Sequence, residues 1–241
     1  MQLKQRISPV NNLLAGLTEV EYQRLMTKFE TIDLKLNDVI CNAGDPIHYV
    51  YFPIKSIIAL MNHLDADKNL EVGMIGNEGM LGSTLLLGVN TAPFRAVVQN
   101  TGATLRMPAA TFNHELQQSL VFEQQLKRYL YISLSQFVQN ATCNRFHVIE
   151  ERLACLLLRI RDRVQSQSFH VTQESLAQML GVRRVGVTMA AKALQHKKII
   201  SYSRGNLKIH DNAGLEAMSC SCYQTNNETY TRILMPELFN T

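Results

Sequence analysis

The sequence predicts an α+β protein in three successive parts: a small all-β domain, one long helix, and a unit of two short helices followed by a β-hairpin. Three observations support this. Short apolar runs separated by turn residues occupy about residues 32–107. Residues 120–146 contain neither glycine nor proline. From residue 171 to 210, helical spacing interrupted by one glycine gives way to an alternating pattern.

Composition excludes several classes of protein. The chain has 241 residues, 46% hydrophobic and 18% charged, which is typical of globular proteins and unlike disordered or collagenous chains. No apolar run reaches the roughly 18–20 residues that cross a bilayer, and the N-terminus leads into no hydrophobic signal segment. The five cysteines are odd in number and mostly isolated, which favours a reducing compartment. We therefore expect a cytoplasmic protein.

The sequence predicts neither an enzyme nor a metal or cofactor site. It shows no nucleophile elbow, paired-carboxylate site or phosphate-binding Walker loop. Only Cys220 and Cys222 are close along the chain, and the single residue between them is too few for the usual Cys-x-x-Cys metal knuckle.

The N-terminal part predicts a short helix and then a small barrel or sandwich. Thr18 and Glu21 form a capping box before apolar residues at helical spacing. No helix of crossover length separates the later apolar runs, so a parallel sheet is excluded. The predicted strands are Val39-Ile40, Tyr49–Phe52, Ile57–Leu60, Glu71–Ile75, Ala96–Val98 and Ala103–Leu105.

Residues 120–146 predict a long helix, in which apolar residues recur at steps of three and four. A helix of about 25 residues is ~38 Å long, which is more than a small barrel covers. The apolar residues that the barrel leaves uncovered favour pairing with the same helix of a second copy, packed in parallel. The alternative is that the long helix packs only within its own subunit. The predicted dimer interface consists of Leu126, Leu130, Ser133, Leu134, Phe137 and Ala141.

After a further helix at residues 148–164, residues 171–210 predict a winged helix-turn-helix. Thr172 stands where it caps a two-turn helix, and Gly181 follows where a tight turn requires a positive φ. A second helix then spans Arg183–His196. The hairpin that follows, with a Gly205-Asn206 turn, forms the wing.

Charge indicates a polyanionic partner for this part. Residues 145–210 carry 12 Lys and Arg against 4 acidic residues, whereas the whole chain has a net charge of only +4. The second helix of such a motif enters the major groove with its N-terminal end nearest the bases. The predicted DNA-contacting residues are Thr172, Gln173, Arg183, Arg184, Thr188, Lys192 and Arg204.

Each of these residues has an expected role. Arginine at the start of the second helix suits bidentate contact with guanine, and Thr188 suits a thymine methyl or a phosphate. Lys192 lies two turns on and is expected to reach phosphate. Amides at the start of the first helix, at Thr172 and Gln173, also hold phosphate. Arg204 is expected to contact the backbone or the minor groove from the tip of the wing.

The order of β-domain, long helix and winged helix resembles the Crp/Fnr superfamily of bacterial transcription regulators. The segments that carry the resemblance are residues 47–53, 77–82 and 171–184. The resemblance implies a cyclic-nucleotide-binding-like β-roll (a jelly roll), a homodimer built on the long helix, a two-fold symmetric DNA site, and RNA polymerase as a partner. It divides the chain into a sensor domain (1–115), a dimerisation helix (116–147), a DNA-binding domain (148–223) and a C-terminal tail (224–241).

The chain departs from the cyclic-AMP-binding members of that family. Those members hold the ribose with the Glu of a Gly-Glu-Leu run and the cyclic phosphate with an Arg-Ser or Arg-Thr pair. Here the corresponding runs are Gly82-Ser83-Thr84 and Phe94-Arg95-Ala96, so the Glu is replaced and the Arg falls one place late. A slip of one residue moves a strand side chain to the opposite face. We expect a small effector other than cyclic AMP, or none, near Gly82, Ser83, Arg95 and Ala96.

The base-reading positions also differ from those of cyclic-AMP receptors. The Arg-Glu-x-x-x-Arg pattern of these receptors aligns with Arg184, Val185 and Met189, which predicts a different target sequence. The N-terminal cysteine cluster of the oxygen-sensing members has no counterpart before Cys41. Two alternatives remain open: a ligand-binding sensory module that acts through protein contacts, and a thiol redox sensor that uses Cys220 and Cys222.

Overall fold

The computed structural model describes residues 11–65 and 68–235, and it has the predicted three-part α+β architecture. Residues 1–10 of the predicted sensor domain and 236–241 of the predicted tail lie outside the described residues. The first part is a β-roll of two antiparallel sheets, with strand orders β1-β7-β3 and β2-β6-β4-β5. Its strands are β1 Glu30–Leu34, β2 Val39–Cys41, β3 Tyr49–Pro53, β4 Ile57–Asp65, β5 Lys68–Ile75, β6 Arg95–Asn100 and β7 Gly102–Pro108.

Short helices close the ends of the β-roll. Helix α1 (Asn12–Ala15) and α2 (Glu19–Met26) precede it, a 3₁₀ turn (Ser83–Leu87) interrupts it, and α3 (Ala109–Gln118) follows it. The predicted cap of α2 is confirmed, since Thr18 Oγ1 accepts a hydrogen bond from the Glu21 amide at 3.3 Å.

The long helix, α4, runs from Leu120 to Phe146, as predicted. It begins there because Ser119 Oγ accepts a hydrogen bond from the Phe122 amide at 3.1 Å, which satisfies one of the free N–H groups at the helix start. One face of its N-terminal half packs into the β-roll core. This face consists of Phe122, Leu126 and Tyr129, and Ile132 on the next turn is also buried.

The predicted dimer interface needs one correction. Leu126 is completely buried in its own β-roll core and offers no surface to a second chain. The prediction was wrong here because α4 carries two apolar faces, and helical spacing alone does not say which of them lies outside. Three large apolar residues exposed around the middle of the helix form a stripe at steps of three and four: Tyr131, Leu134 and Val138.

The third part is a winged helix-turn-helix domain. Its helix-turn-helix core is α6 and α7, and a three-stranded sheet of order β8-β10-β9 forms its wing. Strand β8 occupies part of a segment that the sequence predicts to be a break, and its pairing with β10 adds a third strand to the expected hairpin. The elements are α5 Ile149–Val164, β8 Ser168–His170, α6 Gln173–Leu180, α7 Arg184–His196, β9 Ile200–Ser203, β10 Asn206–Ile209 and α8 Asn212–Met218.

The tip of the wing differs from the predicted Gly-Asn turn. Ser203 pairs with Asn206, so the two turn residues are Arg204 and Gly205, with φ of +50° and +82°. Positive φ at both central residues is the geometry that a two-residue hairpin loop requires. Arg204 therefore occupies the left-handed region itself, and Asn206 belongs to the strand.

A last helix, α9 (Cys222–Leu234), runs back from the winged domain to the β-roll along α4. Near its end, the Tyr230 hydroxyl donates to the Glu78 carbonyl at 3.1 Å, and Leu234 packs on the β-roll core. The predicted boundary at residue 223 thus falls inside a helix.

The winged domain packs directly on the β-roll. Ile57 and Met74 from the β-roll belong to the same apolar cluster as the core of the winged domain. Arg163 of α5 forms an ion pair with Glu78 at 2.6 Å. Gly181, with φ +62°, ends α6 where a Cβ would lie 2.6 Å from Leu70 of β5. The turn between α6 and α7 therefore requires glycine both for its backbone and for this close approach.

Candidate DNA-binding surface and effector cavity

The outer face of α7 carries both cations and apolar side chains. Arg184 and Lys192 are exposed, and Val185 and Met189 between them are 64% and 62% exposed. The opposite face holds the helix on the domain through buried Val187, Ala190, Ala191 and Leu194. We call the outer set the recognition face: Arg184, Val185, Met189 and Lys192.

Thr188 lies beside this face, but its hydroxyl is engaged within the protein. Its Oγ1 lies 2.9 Å from Gln173 Oε1 and 3.0 Å from the Arg184 carbonyl oxygen, so its hydrogen is donated internally. This contact joins the start of α6 to the second turn of α7. It leaves the methyl group of Thr188, rather than its O–H, for any contact outside the protein.

The wing is tied to the beginning of α6. The Val171 amide donates to the Gly205 carbonyl at 2.8 Å, and the Tyr202 hydroxyl donates to the Val171 carbonyl at 2.7 Å. Burial raises the pKa of Tyr202 to about 12, so this hydroxyl stays protonated and keeps donating at physiological pH. Arg204 at the wing tip is therefore held near exposed Thr172, which caps α6 by accepting from the Ser175 amide at 3.0 Å.

Several arginines that contribute to the positive charge are used inside the molecule. Arg152 is buried and donates to Asn144 Oδ1 at 2.6 Å and to the Leu180 carbonyl. Arg163 is paired with Glu78, and Arg161 forms an ion pair with Asp162 at 2.7 Å. The net positive charge of residues 145–210 is therefore larger than the positive charge that the surface of the winged domain can offer to DNA. The exposed cations on α7 and around it are Arg183, Arg184, Lys192, Lys197, Lys198, Arg204 and Lys208.

A cavity of about 550 Å³ lies between the β-roll and α4. Gly82 and Ser83 line it, as predicted for an effector site, but Arg95 and Ala96 do not. Ala96 is buried in the β-roll core, and Arg95, the preceding residue on β6, points to the other side of the strand. The predicted grouping of these two residues with Gly82 and Ser83 is therefore wrong.

The wall of this cavity is mostly apolar. None of the described residues that line it is Lys, Arg, Asp or Glu, so it offers no guanidinium or ammonium group to a phosphate, and its one imidazole is that of His48. Phe94 and Phe137 stack across one side with ring centroids 5.3 Å apart. Four α4 residues that the sequence predicts at the dimer interface also line the cavity: Leu130, Ser133, Leu134 and Phe137.

Sequence reasoning missed most of the cavity wall. Phe94 stands out in the sequence only as the residue before Arg95, and Leu81 only as part of the 77–82 segment that carries the family resemblance. Both could have been found from their neighbours in sequence. Phe94 directly precedes Arg95 and Leu81 directly precedes Gly82, two residues that the family resemblance marks as part of an effector site.

Glu71 is a buried carboxyl group at the contact between β5 and α5. Burial raises the pKa of Glu71 to about 7, although the Arg159 and Arg163 guanidiniums act in the opposite direction. Its Oε2 makes no hydrogen bond to the described residues. A carboxyl group whose pKa is raised on folding favours the folded state when it is protonated, and this contribution is lost as pH rises through the folded pKa.

We therefore expect the thermal stability of the protein to fall as pH rises from 5 to 8. Glu71→Gln keeps the shape but cannot ionise, so it should flatten this dependence and raise the free energy of unfolding at pH 8 by up to about 3 kcal/mol. Thermal melts across this pH range measure both effects. Glu228→Gln, an exposed carboxylate on α9, is the matched control and should keep the wild-type pH profile. An equal slope in the Glu71→Gln protein would contradict the assignment.

A β-roll, a long helix and a winged helix with a basic outer face define, as a class, a DNA-binding transcription regulator. Two family models match the chain: a cyclic nucleotide-binding domain over residues 31–119 and a Crp-like helix-turn-helix domain over residues 151–218. Together they cover more than half of it. The chain belongs to the Crp/Fnr family of transcription regulators.

Solved structures share this fold at low sequence identity. FixK2 from Bradyrhizobium japonicum is 12% identical with a TM-score of 0.69, over 80% of this chain and 98% of that one. The c-di-GMP-responsive global regulator CLP of Xanthomonas campestris is 15% identical with a TM-score of 0.64, over 80% and 99% of the two chains. A CRP-family transcriptional regulator from Thermus thermophilus, TTHB099, is 15% identical with a TM-score of 0.65, over 78% and 96%.

A comparison with curated proteins gave no significant match. Among the helices of the described residues, none has the length and apolar character needed to span a membrane.

Proposed function

We propose that the protein is a homodimer that binds a two-fold symmetric DNA site, with α7 of each subunit in the major groove. The observation that carries this proposal is the recognition face. Val185 and Met189 are large apolar side chains left in solvent between two cations, on a helix whose other face is fully packed. Apolar side chains in this position suit thymine methyl groups, which line the major groove.

The surrounding residues suit contacts with the DNA backbone. Arg183 stands at the N-cap position of α7 without a side-chain cap, so amides in the first turn of α7 are free to bind phosphate. At the start of α6, Thr172 accepts from the Ser175 amide and leaves the earlier amides of that turn for a phosphate. Arg204 at the wing tip and Lys192 farther along α7 add mobile cations suited to phosphates. Arg184, at the N-terminal end of α7, is the cation best placed for a base edge.

The test is selection of genomic DNA fragments by the purified protein without added ligand, followed by a salt titration on the preferred fragment. We expect a two-fold symmetric motif that differs from the TGTGA-type half-site of cyclic-AMP receptors, and affinity that falls steeply with salt. Weak binding without sequence preference would mean that an effector is missing. No DNA binding under any condition would favour the alternative in which the winged helix contacts a protein.

Dimerisation through α4 is supported by the stripe formed by Tyr131, Leu134 and Val138. Exposed Ala141 continues it by one turn, and exposed Lys127 and Arg145 stand at its two ends. An apolar strip flanked by charge along a long helix is the pattern of a helix pair. A parallel pair would place two copies of α7 on one side of the molecule, as a two-fold symmetric DNA site requires.

The cavity supports an uncharged or largely apolar effector. Leu134 belongs to both the cavity wall and the helix stripe, and Leu130 lines the cavity one turn before it, so a ligand there would contact the same helix that pairs with the second subunit. Such a ligand would change DNA affinity to the extent that it binds one dimer arrangement better than the other. Among the described residues, the cavity wall has no lysine or arginine to pair with a phosphate, which argues against both cyclic AMP and a cyclic dinucleotide.

Ligand chemistry can be tested with two probes. We expect Nile red, an uncharged apolar fluorophore, to bind one site per chain, and cyclic AMP to leave the thermal transition unchanged. Ser83→Phe should reduce Nile red binding because the added ring fills part of the cavity. Ser203→Phe places the same ring on the exposed wing and is the control. A clear thermal shift with cyclic AMP would overturn the proposed chemistry.

A further inference from the structure

Three cysteines and a histidine from two distant segments meet near the junction of α4 and α5. They are Cys143 and His147 at the end of α4, and Cys220 and Cys222 around the start of α9. Their three sulfur atoms and one ring nitrogen all lie within 4.8 Å of one another. All five cysteines of the chain are free thiols. From this geometry we infer that the cluster is a binding site for a single zinc ion, with Cys143, His147, Cys220 and Cys222 as its four ligands.

Two of the donor distances match those around a tetrahedral zinc ion. Zinc–sulfur bonds of about 2.3 Å in a tetrahedron place two sulfur ligands about 3.8 Å apart, and a sulfur and a nitrogen slightly closer. Cys143 Sγ lies 3.6 Å from Cys220 Sγ, and Cys222 Sγ lies 3.4 Å from His147 Nδ1. A cluster of several iron and sulfide atoms needs more room than these donors leave. Three thiolates and one imidazole form a common closed zinc site, in which no position is left for a substrate.

The backbone accounts for how the four residues converge. Cys143 and His147 stand four residues apart on the last turn of α4, and the His147 amide donates to the Cys143 carbonyl at 3.2 Å, so both side chains lie on one face. This face is opposite the Tyr131–Val138 stripe and is covered by α9. Cys220 and Cys222 bracket Ser221, the residue that precedes α9, and both are buried.

A neighbouring amide supports the site from outside. Gln139 Nε2 donates to Cys222 Sγ at 3.0 Å, which is the kind of hydrogen bond that stabilises a metal-bound thiolate. Simple packing of small thiols would account for burial of Cys220 and Cys222. It would not account for the convergence of an imidazole nitrogen with three sulfur atoms.

These ligands lie outside both segments that match the family models. Cys143 and His147 fall between residues 119 and 151, and Cys220 and Cys222 fall after residue 218. The site is therefore a feature of how this chain joins its domains, not of the matched β-roll or helix-turn-helix.

The proposed zinc site lies at the link between the long helix and the winged domain. His147 caps the end of α4 and Val148 stands at the N-cap of α5, so these two residues are the covalent path from the long helix to the winged domain. A zinc ion would fasten the link to α9, whose other end contacts the β-roll at Glu78. We expect bound zinc to restrict movement of the winged domain relative to α4. Only this expected effect on the winged domain rests on the proposed DNA-binding function; the zinc site itself does not.

The direct test uses the full-length protein after reduction and removal of metal by a chelator. Titration with Co²⁺ should give one ion per chain, with thiolate-to-cobalt charge-transfer absorption and the intense visible bands of tetrahedral cobalt, and zinc should abolish both. Cys222→Ser and His147→Ala should each weaken cobalt binding by more than 100-fold. Gln139→Ala should weaken it by roughly 10–100-fold, as expected for a supporting hydrogen bond. Cys41→Ser, in β2, removes a thiol elsewhere and should bind as the wild type does.

Native mass spectrometry of the wild-type protein as purified provides a readout that does not depend on how the variants fold. A mass increase of one zinc per chain, lost with chelator, supports the site. No tetrahedral cobalt spectrum, or one that persists in Cys222→Ser, would overturn it. A Cys143–Cys220 disulfide that forms readily in a protein that binds no metal would also overturn it, in favour of a thiol redox pair. Because no DNA is present, failure of the DNA-binding proposal would not alter any of these results.

Discussion

Val138→Glu is expected to convert the dimer into a monomer. Val138 is the most exposed residue of the α4 stripe, at 68%, and does not line the effector cavity, so the change acts on the helix pair alone. In a parallel pair the two glutamates would be buried close to each other without a partner, and an uncompensated buried charge costs about 3–5 kcal/mol. We expect the dimer dissociation constant to rise by roughly 100-fold or more. Sedimentation equilibrium measures this directly.

DNA binding should follow the oligomeric state. A monomer reaches only one half-site, so its affinity for the selected fragment should fall steeply, while binding to an isolated half-site should change little. Val20→Glu is the matched control, because Val20 is 79% exposed on α2 and does not belong to the α4 stripe. A Val138→Glu protein that remains dimeric would show that the subunits pair through a different surface, or that α4 packs only within its own subunit.

The ends of α4 could be predicted because local chemistry decides them. Ser119 supplies the cap, and no glycine or proline interrupts the helix before Phe146. The caps at Thr18 and Thr172 and the turn at Gly181 were predictable for the same reason, since each depends on residues within four positions of one another. The turn of the wing was displaced by one residue, because Arg204 adopts a left-handed conformation that sequence rules assign first to glycine or asparagine.

Features that depend on distant segments could not be predicted in this way. The periodicity of α4 does not show that Leu126 faces the β-roll and Val138 faces solvent, because both positions are apolar. The charge excess did not reveal that Arg152 and Arg163 are buried against backbone carbonyls and Glu78. The cysteine spacing argued against a metal knuckle because only two of the four converging donors are neighbours in sequence.

The two proposed binding sites both lie against α4. The apolar cavity contacts α4 at Leu130 and Leu134, and the cysteine cluster lies at its far end, at Cys143 and His147. Between them lies the stripe that we propose for dimerisation. An effector in the cavity and an ion in the cluster would therefore act on one rigid element, and each would alter the other's affinity if both favour the same arrangement of the winged domains.

Arg184→Ala and Lys192→Ala are expected to weaken DNA binding in different ways. Arg184 lies at the N-terminal end of α7, where a bidentate contact with guanine is worth about 1–3 kcal/mol in each half-site, and the dimer loses this twice. The preferred sequence should become degenerate at one base pair in each half-site. Repeating the DNA selection with the Arg184→Ala protein measures this loss of specificity directly.

Lys192 lies two turns farther along the same helix, and its flexible ammonium suits a phosphate rather than a base. Lys192→Ala should therefore weaken specific and non-specific binding alike, and reduce the slope of log affinity against log salt by about 2 for the dimer. Lys28→Ala removes an equal charge from the β-roll surface and should leave both properties unchanged. If both α7 variants relaxed the preferred sequence equally, the division of the recognition face into a base-reading end and a phosphate-binding end would be wrong, and α7 would have to lie deeper or more steeply in the groove.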